Sequence, residues 1–262
     1  MTLLTGWGRT APTRATLARP RTAEEAAALV AKAGRRGVVA RGLGRAYGDA
    51  AQNAGGLVLD CTALQPSWSL SATGLVTASA GVSLHDLMTA LVPRGWFVPV
   101  TPGTRYVTVG GAVAADVHGK NHHVDSSFGA HLRSLRLLTA DGGVRTLEPG
   151  DDLFWATVGG MGLTGVVVEA TFQCVPIESA WMRVDVERTR DLDQTLETMA
   201  ATDDGHRYTV AWIDLLARGG RMGRGVLTRG DHAAPGDLPA RARGNPLAFA
   251  PRPSARPPPR WA

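Results

Sequence analysis

The segment of residues 116–123 reads Asp-Val-His-Gly-Lys-Asn-His-His and concentrates side chains that could do chemistry. Only two of the 28 lysines and arginines in the chain are lysines, Lys32 and Lys120, and four of the seven histidines lie between residues 117 and 132. A compact ammonium beside an imidazole can stabilise the charge that develops on a substrate oxygen while hydride leaves carbon. An ammonium also differs in shape and hydration from a guanidinium. Lys120 and His118 are therefore candidate catalytic residues.

Two other interpretations of this segment are open. His118 and His122 are spaced i and i+4, which can place two imidazoles on one helical face as zinc ligands. Gly119 and Asn121 disfavour a helix, however, and the segment lacks the glutamate of an HExxH motif. The segment could also be a polar loop with solvated histidines. The sequence favours the substrate-facing interpretation, and it predicts no metal site.

Three glycine clusters are candidates for binding an anionic cofactor. They span residues 42–48, 103–111 and 159–165. Gly160, Gly162 and Gly165 match the GxGxxG dinucleotide fingerprint, but that fingerprint needs a strand before the loop and a helix after it. Here a helical pattern precedes the loop and a strand pattern follows, which excludes a Rossmann site. Successive N–H groups in glycine loops can still hold a diphosphate, so three clusters together favour a large, doubly phosphorylated cofactor over ordinary tight turns.

Local signals place secondary structure around these loops. Thr22 and Glu25 form one capping box, and Ser83 and Asp86 resemble another, so each pair predicts the start of a helix. The Asp-Gly dipeptide at residues 141–142 lies between two apolar runs and predicts a hairpin. Strand and helix patterns are mixed without a regular βαβ rhythm. We therefore predict an α+β fold.

A change in composition near Pro176 predicts a second unit. The patterns that follow indicate a strand, a helix and a strand, over residues 182–189, 191–201 and 208–217. From Arg241 onward the chain holds five arginines, six prolines and no acidic residue, a composition that cannot bury a core. The predicted organisation is a first unit, a second unit and a disordered tail, over residues 1–178, 179–248 and 249–262.

Bulk composition excludes several function classes. The net charge is +5, but the first 240 residues contain no run rich in lysine and arginine, which argues against nucleic-acid binding. The N-terminus lacks the apolar core of a signal peptide and no apolar run reaches membrane-spanning length, so any membrane contact is expected to be peripheral. Cys61 and Cys174 lie in apolar stretches and form no CxxC pair, which predicts buried free thiols.

Four segments together resemble one family. They are residues 40–53 (ARGLGRAYGDAAQN), 98–123 (VPVTPGTRYVTVGGAVAADVHGKNHH), 127–142 (SFGAHLRSLRLLTADG) and 153–165 (LFWATVGGMGLTG). They are similar to the decaprenylphosphoryl-β-D-ribose 2′-oxidases, a branch of the vanillyl-alcohol-oxidase-like proteins with a PCMH-type FAD-binding domain. The resemblance runs from about residue 6 to residue 249. It implies an FAD-binding domain of two α+β subdomains over residues 1–178, followed by an incomplete α+β substrate domain over residues 179–248.

The resemblance also implies roles for individual residues. Tyr47, His118 and Lys120 would be catalytic and would bind substrate, with Lys120 against the ribose and its phosphate and His118 touching both flavin and sugar. Trp212 would contact the substrate from the second domain. The implied cofactor-binding residues are Ala40, Arg41, Gly42, Leu43, Gly44, Arg45, Ala46, Tyr47, Gly48, Asp49, Ala50, Gly103, Thr108, Val109, Gly110, Gly111, Ala115, Asp116, Val117, His118 and Val166.

The activity implied by the resemblance is oxidation of the 2′-hydroxyl of decaprenylphosphoryl-β-D-ribose to the 2′-keto form. In actinobacteria this is the first step of epimerisation to the arabinose donor for cell-wall arabinan. FAD would be held non-covalently, because the His-Gly-Lys-Asn-His-His string differs from that of relatives with covalent flavin. An NAD-dependent reductase would complete the epimerisation. Peripheral membrane contact at the cell envelope is expected, with the cytoplasm as the alternative location.

Two alternative functions are open within the same resemblance. The chain could be a sugar-alcohol or lactone oxidase of the same FAD superfamily, or a non-catalytic remnant that binds flavin. The family continues beyond the length of this chain, through the rest of the substrate domain and a final segment of the FAD domain. The resemblance therefore implies a C-terminal truncation and an inactive chain.

Overall fold

The computed structural model describes residues 1–248, so the predicted disordered tail at residues 249–262 lies outside the described residues. Within this part, the strands form several sheets and helices lie between them in the chain, which confirms the predicted α+β fold. Two sheets come from residues before Pro176, as expected for two α+β subdomains, and a further sheet follows. The predicted boundary at residue 178 falls in the connection that leads to this last sheet.

The first sheet has four strands, β1 (Thr2–Leu4), β2 (Thr13–Ala18), β3 (Val38–Arg41) and β4 (Leu57–Asp60). Their order is β1-β2-β4-β3, and β4 pairs in parallel with both β2 and β3. Helix α1 (Ala23–Ala31) connects β2 to β3. It begins at Thr22, whose hydroxyl accepts the N–H of Glu25 at 3.2 Å, so this capping box is confirmed. The first glycine cluster directly follows β3, so this sheet fixes where the cluster begins.

The second sheet is antiparallel and has the order β5-β6-β10-β8-β9. Its strands are β5 (Trp68–Leu70), β6 (Leu75–Ser79), β8 (Leu132–Leu138), β9 (Val144–Leu147) and β10 (Val166–Gln173). Two short strands pair beside it, β7 (Trp96–Phe97) and β11 (Val175–Pro176). The β8–β9 hairpin turns at residues 139–143 with Gly142 at φ +82°, as the Asp-Gly dipeptide predicts.

Four helices belong to the part of the chain around the second sheet. They are α2 (Leu84–Leu91), α3 (Val109–Ala114), α4 (His122–Asp125) and α5 (Asp152–Thr157). α2 begins at Ser83, whose hydroxyl accepts the N–H of Asp86 at 3.1 Å, so the second capping box is also confirmed. The third glycine cluster lies between α5 and β10. This order of helix, loop and strand confirms that the GxGxxG match is not a Rossmann fingerprint.

The main hydrophobic core lies in this first part of the chain. Phe128, Phe154 and Phe172 are fully buried, and the rings of Phe128 and Phe172 have centroids 5.0 Å apart. The alternating burial along β10 matches a strand with one face on the core. Both cysteines are free and buried, as predicted. This packed core gives the glycine loops a rigid support.

The second unit is a three-stranded antiparallel sheet of β12 (Met182–Thr189), β13 (Tyr208–Ile213) and β14 (Gly225–His232), in the order β12-β14-β13. Helix α6 (Leu192–Thr202) connects β12 to β13, and α7 (Ala240–Arg243) follows the sheet. The predicted strand, helix and strand are present. The central strand β14 was not predicted, because its two glycines and its charged residues weaken the apolar alternation expected of a strand.

The two faces of this sheet differ in chemistry. On the face that carries α6, Arg229 pairs with Glu187 at 2.8 Å and also donates to the hydroxyl of Thr202. The opposite face carries Val186 and Trp212, which are 66% and 65% exposed. Thus the apolar face of the second unit is open in the described residues. None of the helices within residues 1–248 combines the length and the apolar character that a membrane span requires.

Candidate functional site

The three glycine clusters meet along one cleft of about 740 Å³. The loop after β3 forms one wall, residues 102–118 form a second, and the loop before β10 closes the third side. A cavity of this size lies within the range of pockets that bind cofactors and other small molecules. The structure therefore brings together three clusters, of which the first and the third are more than 100 residues apart in sequence.

Arg41 fixes the shape of the first glycine loop. Its guanidinium donates to the carbonyl oxygens of Thr5 at 2.7 Å and Ala51 at 3.0 Å, and burial lowers the pKa of Arg41 despite the nearby Asp60. Gly44 turns back over this side chain with φ +67°, and a Cβ there would lie 2.3 Å from Nη2 of Arg41. Only glycine fits this turn without displacing Arg41.

Three other glycines of the cleft wall have free space beside them. At Gly48 and Gly103 an added Cβ would meet no protein atom within 4 Å, and at Gly162 the nearest atom would be 4.0 Å away. Glycine is therefore not required here by contacts within the protein. At Gly162 the backbone itself favours glycine, because its φ is +79°. At Gly48 and Gly103 a ligand that lies close to the backbone would require glycine, and two loops with this property along one cleft fit a cofactor as extended as FAD.

The first loop offers the backbone donors that an anion needs. Within residues 1–248, no carbonyl or side chain accepts a hydrogen bond from the N–H groups of residues 43–47. The start of α3 differs, because the N–H groups of Val109, Gly110 and Gly111 already donate to Val82, Ala80 and the hydroxyl of Thr108. The first loop is thus better suited than the start of α3 to hold a diphosphate.

The segment that contains His118 and Lys120 lies at the edge of this cleft. His118 lines the cleft, and Lys120 follows two residues later as an exposed residue. Asn121 is fully buried and donates from its amide nitrogen to Pro99 and to the carboxylate of Asp125, both at 2.7 Å. Residues 118–121 are not helical, as Gly119 and Asn121 predict, and the short helix α4 begins only at His122.

The metal interpretation finds no support in the part of the chain that the structure describes. The rings of His118 and His122 have centroids 5.7 Å apart in an edge-to-face arrangement. No group of three or more histidine, cysteine, aspartate or glutamate side chains there could hold a metal ion.

Four of the proposed cofactor-binding residues do not line the cleft. Val109 and Val166 are buried in the core, and Val167 lines the cleft in place of Val166. The carboxylate of Asp116 accepts the N–H of Gly129 at 2.7 Å and the hydroxyl of Ser127 at 2.8 Å, which fixes the chain just before His118. Asp49 lies in the first loop but also outside the cleft wall. The other members of the proposed set line the cleft.

The proposed substrate-binding residues occupy three different positions. Tyr47 lines the cleft and is 78% exposed. Trp212 does not line the cleft but lies on the open apolar face of the second unit. Lys120 accepts the N–H of Thr209 in β13 through its carbonyl oxygen at 2.9 Å, so the second unit contacts the segment directly. The roles of these residues stay predictions.

Sequence reasoning missed several residues of the cleft wall. Trp7 stacks under the guanidinium of Arg45, 4.6 Å from the ring centroid, and Arg45 donates to the carbonyl of Tyr106 at 3.1 Å. Cys61 also lines the cleft, and burial raises its pKa to about 11, so its thiol stays protonated. Gly6 and Gly8, on either side of Trp7, are the sequence signal that could have predicted a close approach of the N-terminal segment to the first glycine loop.

Comparison with known proteins identifies similar chains. Residues 15–148 match the family model of the FAD binding domain. The chain is 49% identical over 257 residues to decaprenylphosphoryl-beta-D-ribose oxidase of Mycolicibacterium smegmatis, covering 94% of this chain and 55% of that protein. It is 33% identical over 195 residues to L-gulono-1,4-lactone dehydrogenase of Mycobacterium tuberculosis, covering 73% and 44%. It is 29% identical over 204 residues to alditol oxidase of a Streptomyces species, covering 76% and 48%. The chain thus spans about half the length of these relatives.

Proposed function

This chain belongs to the FAD-binding-domain family, with FAD as its cofactor, and we propose that the whole protein that contains it oxidises the 2′-hydroxyl of decaprenylphosphoryl-β-D-ribose to the 2′-keto form. The observation that carries the proposal is the position of His118 and Lys120. His118 lines the cleft where the glycine loops meet, and Lys120, an exposed residue outside the cleft wall, follows two residues later. A sugar that carries a phosphate would find both groups at the cleft entrance.

The proposed chemistry divides between the cofactor and the residues of this chain. When bound, FAD supplies the acceptor for the hydride that leaves the sugar carbon. Nζ of Lys120 offers three N–H donors to the ribose and its phosphate. The imidazole of His118 orients the hydroxyl and accepts its proton as the hydride leaves, so the alcohol loses one hydride and one proton and becomes the ketone. The exposed ring of Tyr47 covers the sugar from the side of the first loop.

The glycine loops and the side chains of the cleft have separate tasks in this proposal. The N–H groups of residues 43–47 hold the diphosphate, while Gly48 and Gly103 let the cofactor approach the backbone. Cys61 takes no part in proton transfer, because its pKa of about 11 keeps the thiol protonated at neutral pH. FAD is held without a covalent bond.

The wider context of the proposal follows the same resemblance. Residues 1–178 form the FAD-binding domain, and residues 179–248 belong to the substrate domain. The keto product passes to an NAD-dependent reductase that completes epimerisation to the arabinose donor for cell-wall arabinan. The protein works at the cell envelope of an actinobacterium in peripheral contact with the membrane, where a polyprenyl-linked substrate resides.

A second candidate function has its own support. The matches to an alditol oxidase and to an L-gulono-1,4-lactone dehydrogenase cover 76% and 73% of the chain. An oxidase for free sugar alcohols or lactones would use the same cleft and cofactor. It would not need an ammonium for a phosphate group, so the two functions differ in their dependence on Lys120.

Anaerobic reduction of the flavin separates the two functions. The FAD-loaded whole protein is mixed with a short-prenyl phosphoryl ribose, an alditol or L-gulono-1,4-lactone, and the bleaching of the flavin absorbance is followed. The proposal expects bleaching with the phosphoryl ribose and none with the other two. Bleaching by the alditol or the lactone, without bleaching by the phosphoryl ribose, would replace the proposal with the second candidate.

A further inference from the structure

The second unit is attached to the segment of His118 and Lys120 through one edge of its sheet. β13 is an edge strand, and edge strands carry backbone donors that no neighbouring strand accepts. The N–H of Thr209 in β13 donates to the carbonyl oxygen of Lys120 at 2.9 Å. The residue expected to face the substrate phosphate is therefore bonded through its backbone to a different sheet.

An ion pair lies next to this hydrogen bond. Nε and Nη2 of Arg207 donate to the two carboxylate oxygens of Asp125, each at 2.8 Å. The side chains are 30% and 12% exposed. A two-point contact between a guanidinium and a carboxylate fixes direction as well as distance, and the low exposure limits its screening by solvent.

Each partner of this pair is held by further contacts. The N–H of Arg207 donates to Asp231 in β14 at 2.8 Å, so the sheet of the second unit orients the arginine backbone. On the other side, Asp125 accepts the side-chain amide of the buried Asn121 at 2.7 Å, and Asn121 directly follows Lys120. A continuous path of hydrogen bonds thus runs from β14 through Arg207 and Asp125 to the neighbour of Lys120.

We propose that Arg207 is a positioning residue that acts through Asp125 and Thr209 to hold Lys120 at the cleft entrance. This inference rests on the proposed function, because it concerns how the same site receives the substrate phosphate. The second unit holds the loop that carries Lys120, and this places the ammonium that would bind the substrate phosphate. A side chain on four rotatable bonds such as Lys120 gains a defined location only if its backbone is held.

Hydrogen exchange of the Thr209 amide tests the clamp without any substrate. Exchange is measured residue by residue on FAD-loaded protein for the wild type, Arg207→Ala, Arg207→Lys and Asp125→Asn. We expect the Thr209 amide to exchange about tenfold faster in Arg207→Ala and Asp125→Asn, with Arg207→Lys in between, because the local contact opens more often. The amide of Cys174, which donates to the carbonyl oxygen of Gly74 at 2.8 Å in the first part of the chain, serves as the internal reference.

Arg224→Ala is the matched control. Arg224 forms an ion pair with Asp214 at 2.9 Å in the same unit but does not contact the segment around Lys120. This variant should leave exchange at Thr209 unchanged. Wild-type exchange at Thr209 in both Arg207→Ala and Asp125→Asn would overturn the proposal, as would equal acceleration in Arg224→Ala. If Arg207→Ala does not fold, Asp125→Asn and Arg207→Lys decide.

Chemical labelling of lysines tests the consequence for the site. The chain has only Lys32 and Lys120, so an amine-reactive reagent reports on Lys120 with Lys32 as its own reference. A short-prenyl phosphoryl ribose should protect Lys120 in the wild type, and we expect about tenfold more ligand to be needed for half-protection in Arg207→Ala, with flavin content unchanged. Equal protection in both proteins would overturn the positioning role. No protection of the wild type, with altered Thr209 exchange in the variants, would overturn the proposed function and leave the clamp intact.

Discussion

Gly44 lies so close to Arg41 that a Cβ on the glycine would be 2.3 Å from Nη2 of the arginine. Arg41 cannot easily move aside, because its guanidinium holds the carbonyl oxygens of Thr5 and Ala51. The glycine conformation and the arginine contacts therefore depend on each other. Together they shape the loop that carries the free N–H groups of residues 43–47.

Gly44→Ala should weaken both folding and flavin binding. A left-handed conformation at φ +67° costs a non-glycine residue about 1–2 kcal/mol, and the clash with Arg41 adds to this cost. We expect a lower thermal unfolding midpoint of the apoprotein and a loss of bound FAD. Differential scanning calorimetry and the flavin absorbance of the purified protein measure the two effects. An apoprotein as stable as the wild type would show that Arg41 does not constrain this turn.

Gly48→Ala should separate binding from stability. Its Cβ would meet no protein atom within 4 Å, so the apoprotein should unfold at the wild-type temperature. The same methyl group would enter the cleft, where overpacking costs roughly 1–3 kcal/mol, or about five- to 150-fold in the Kd of FAD. Titration of apoprotein with FAD, followed by flavin fluorescence, measures this change. Gly34→Ala is the matched control, because a Cβ at Gly34 would also meet no protein atom within 4 Å and Gly34 does not line the cleft. Gly37 is not suitable, because its φ of +62° would strain any other residue.

Local chemistry made part of this site predictable. The capping boxes at Thr22 and Ser83 and the turn at residues 141–142 depend on neighbouring residues, so their structures follow from short stretches of sequence. The three glycine clusters could likewise be recognised individually. Their convergence on one cleft depends on the pairing of β6, β8 and β10, which are distant in sequence, and the sequence alone does not specify those partners.

The parts that sequence reasoning did not find depend on such long-range contacts. The charged side chains of β14 find partners on neighbouring elements, as Arg229 does with Glu187, so its pattern does not resemble a central strand. Asp116 seemed suited to a cofactor site, yet its carboxylate binds Ser127 and Gly129, which approach it only after folding. The ion pair between Asp125 and Arg207 joins residues 82 positions apart. None of these partners could be inferred from spacing.

Lys120→Ala should reduce turnover without releasing the flavin. The variant removes the positive charge proposed to face the substrate phosphate, and the loss of one such electrostatic contact typically lowers kcat about a hundredfold. Lys120→Arg keeps the charge but changes its shape and should recover part of the rate. Stopped-flow measurement of anaerobic flavin reduction by a short-prenyl phosphoryl ribose compares the variants. Lys32→Ala is the control, and equal rates for wild type and Lys120→Ala would make Lys120 a solvated loop residue.

Acid precipitation should release the flavin from the protein. The cleft binds FAD without a covalent bond in our proposal, so unfolding removes every contact that holds the cofactor. We expect the yellow colour in the supernatant after centrifugation and a colourless pellet. Flavin that remains in the pellet through a second wash in denaturant would demonstrate a covalent bond. Peptide mapping of that pellet would then identify the attached residue, with the histidines of residues 118–123 as the first candidates.

Protonation of His232 should lower the stability of the folded protein when the pH falls into the acidic range. Burial lowers the pKa of His232 from its ordinary value of 6.5, and Arg207 adds to this effect, while a backbone hydrogen bond at Ser179 and the charge of Asp231 oppose it. The ring contacts Phe97 of the first part of the chain, with centroids 5.1 Å apart. The neutral imidazole therefore belongs to the contact between the second unit and the rest of the protein.

The direction of the pH effect follows from the lowered pKa. The unfolded chain binds a proton on His232 at a higher pH than the folded chain does. The free energy of unfolding therefore decreases as the pH falls from about 6.5 to the lower pKa of the folded state. We expect the free energy of unfolding by urea to decrease between pH 7.5 and pH 5.5, and to decrease less in His232→Gln, which cannot titrate. His85→Gln is a control outside this contact. An identical pH dependence in wild type and His232→Gln would assign the acid sensitivity to other groups, such as the carboxylates of the second unit.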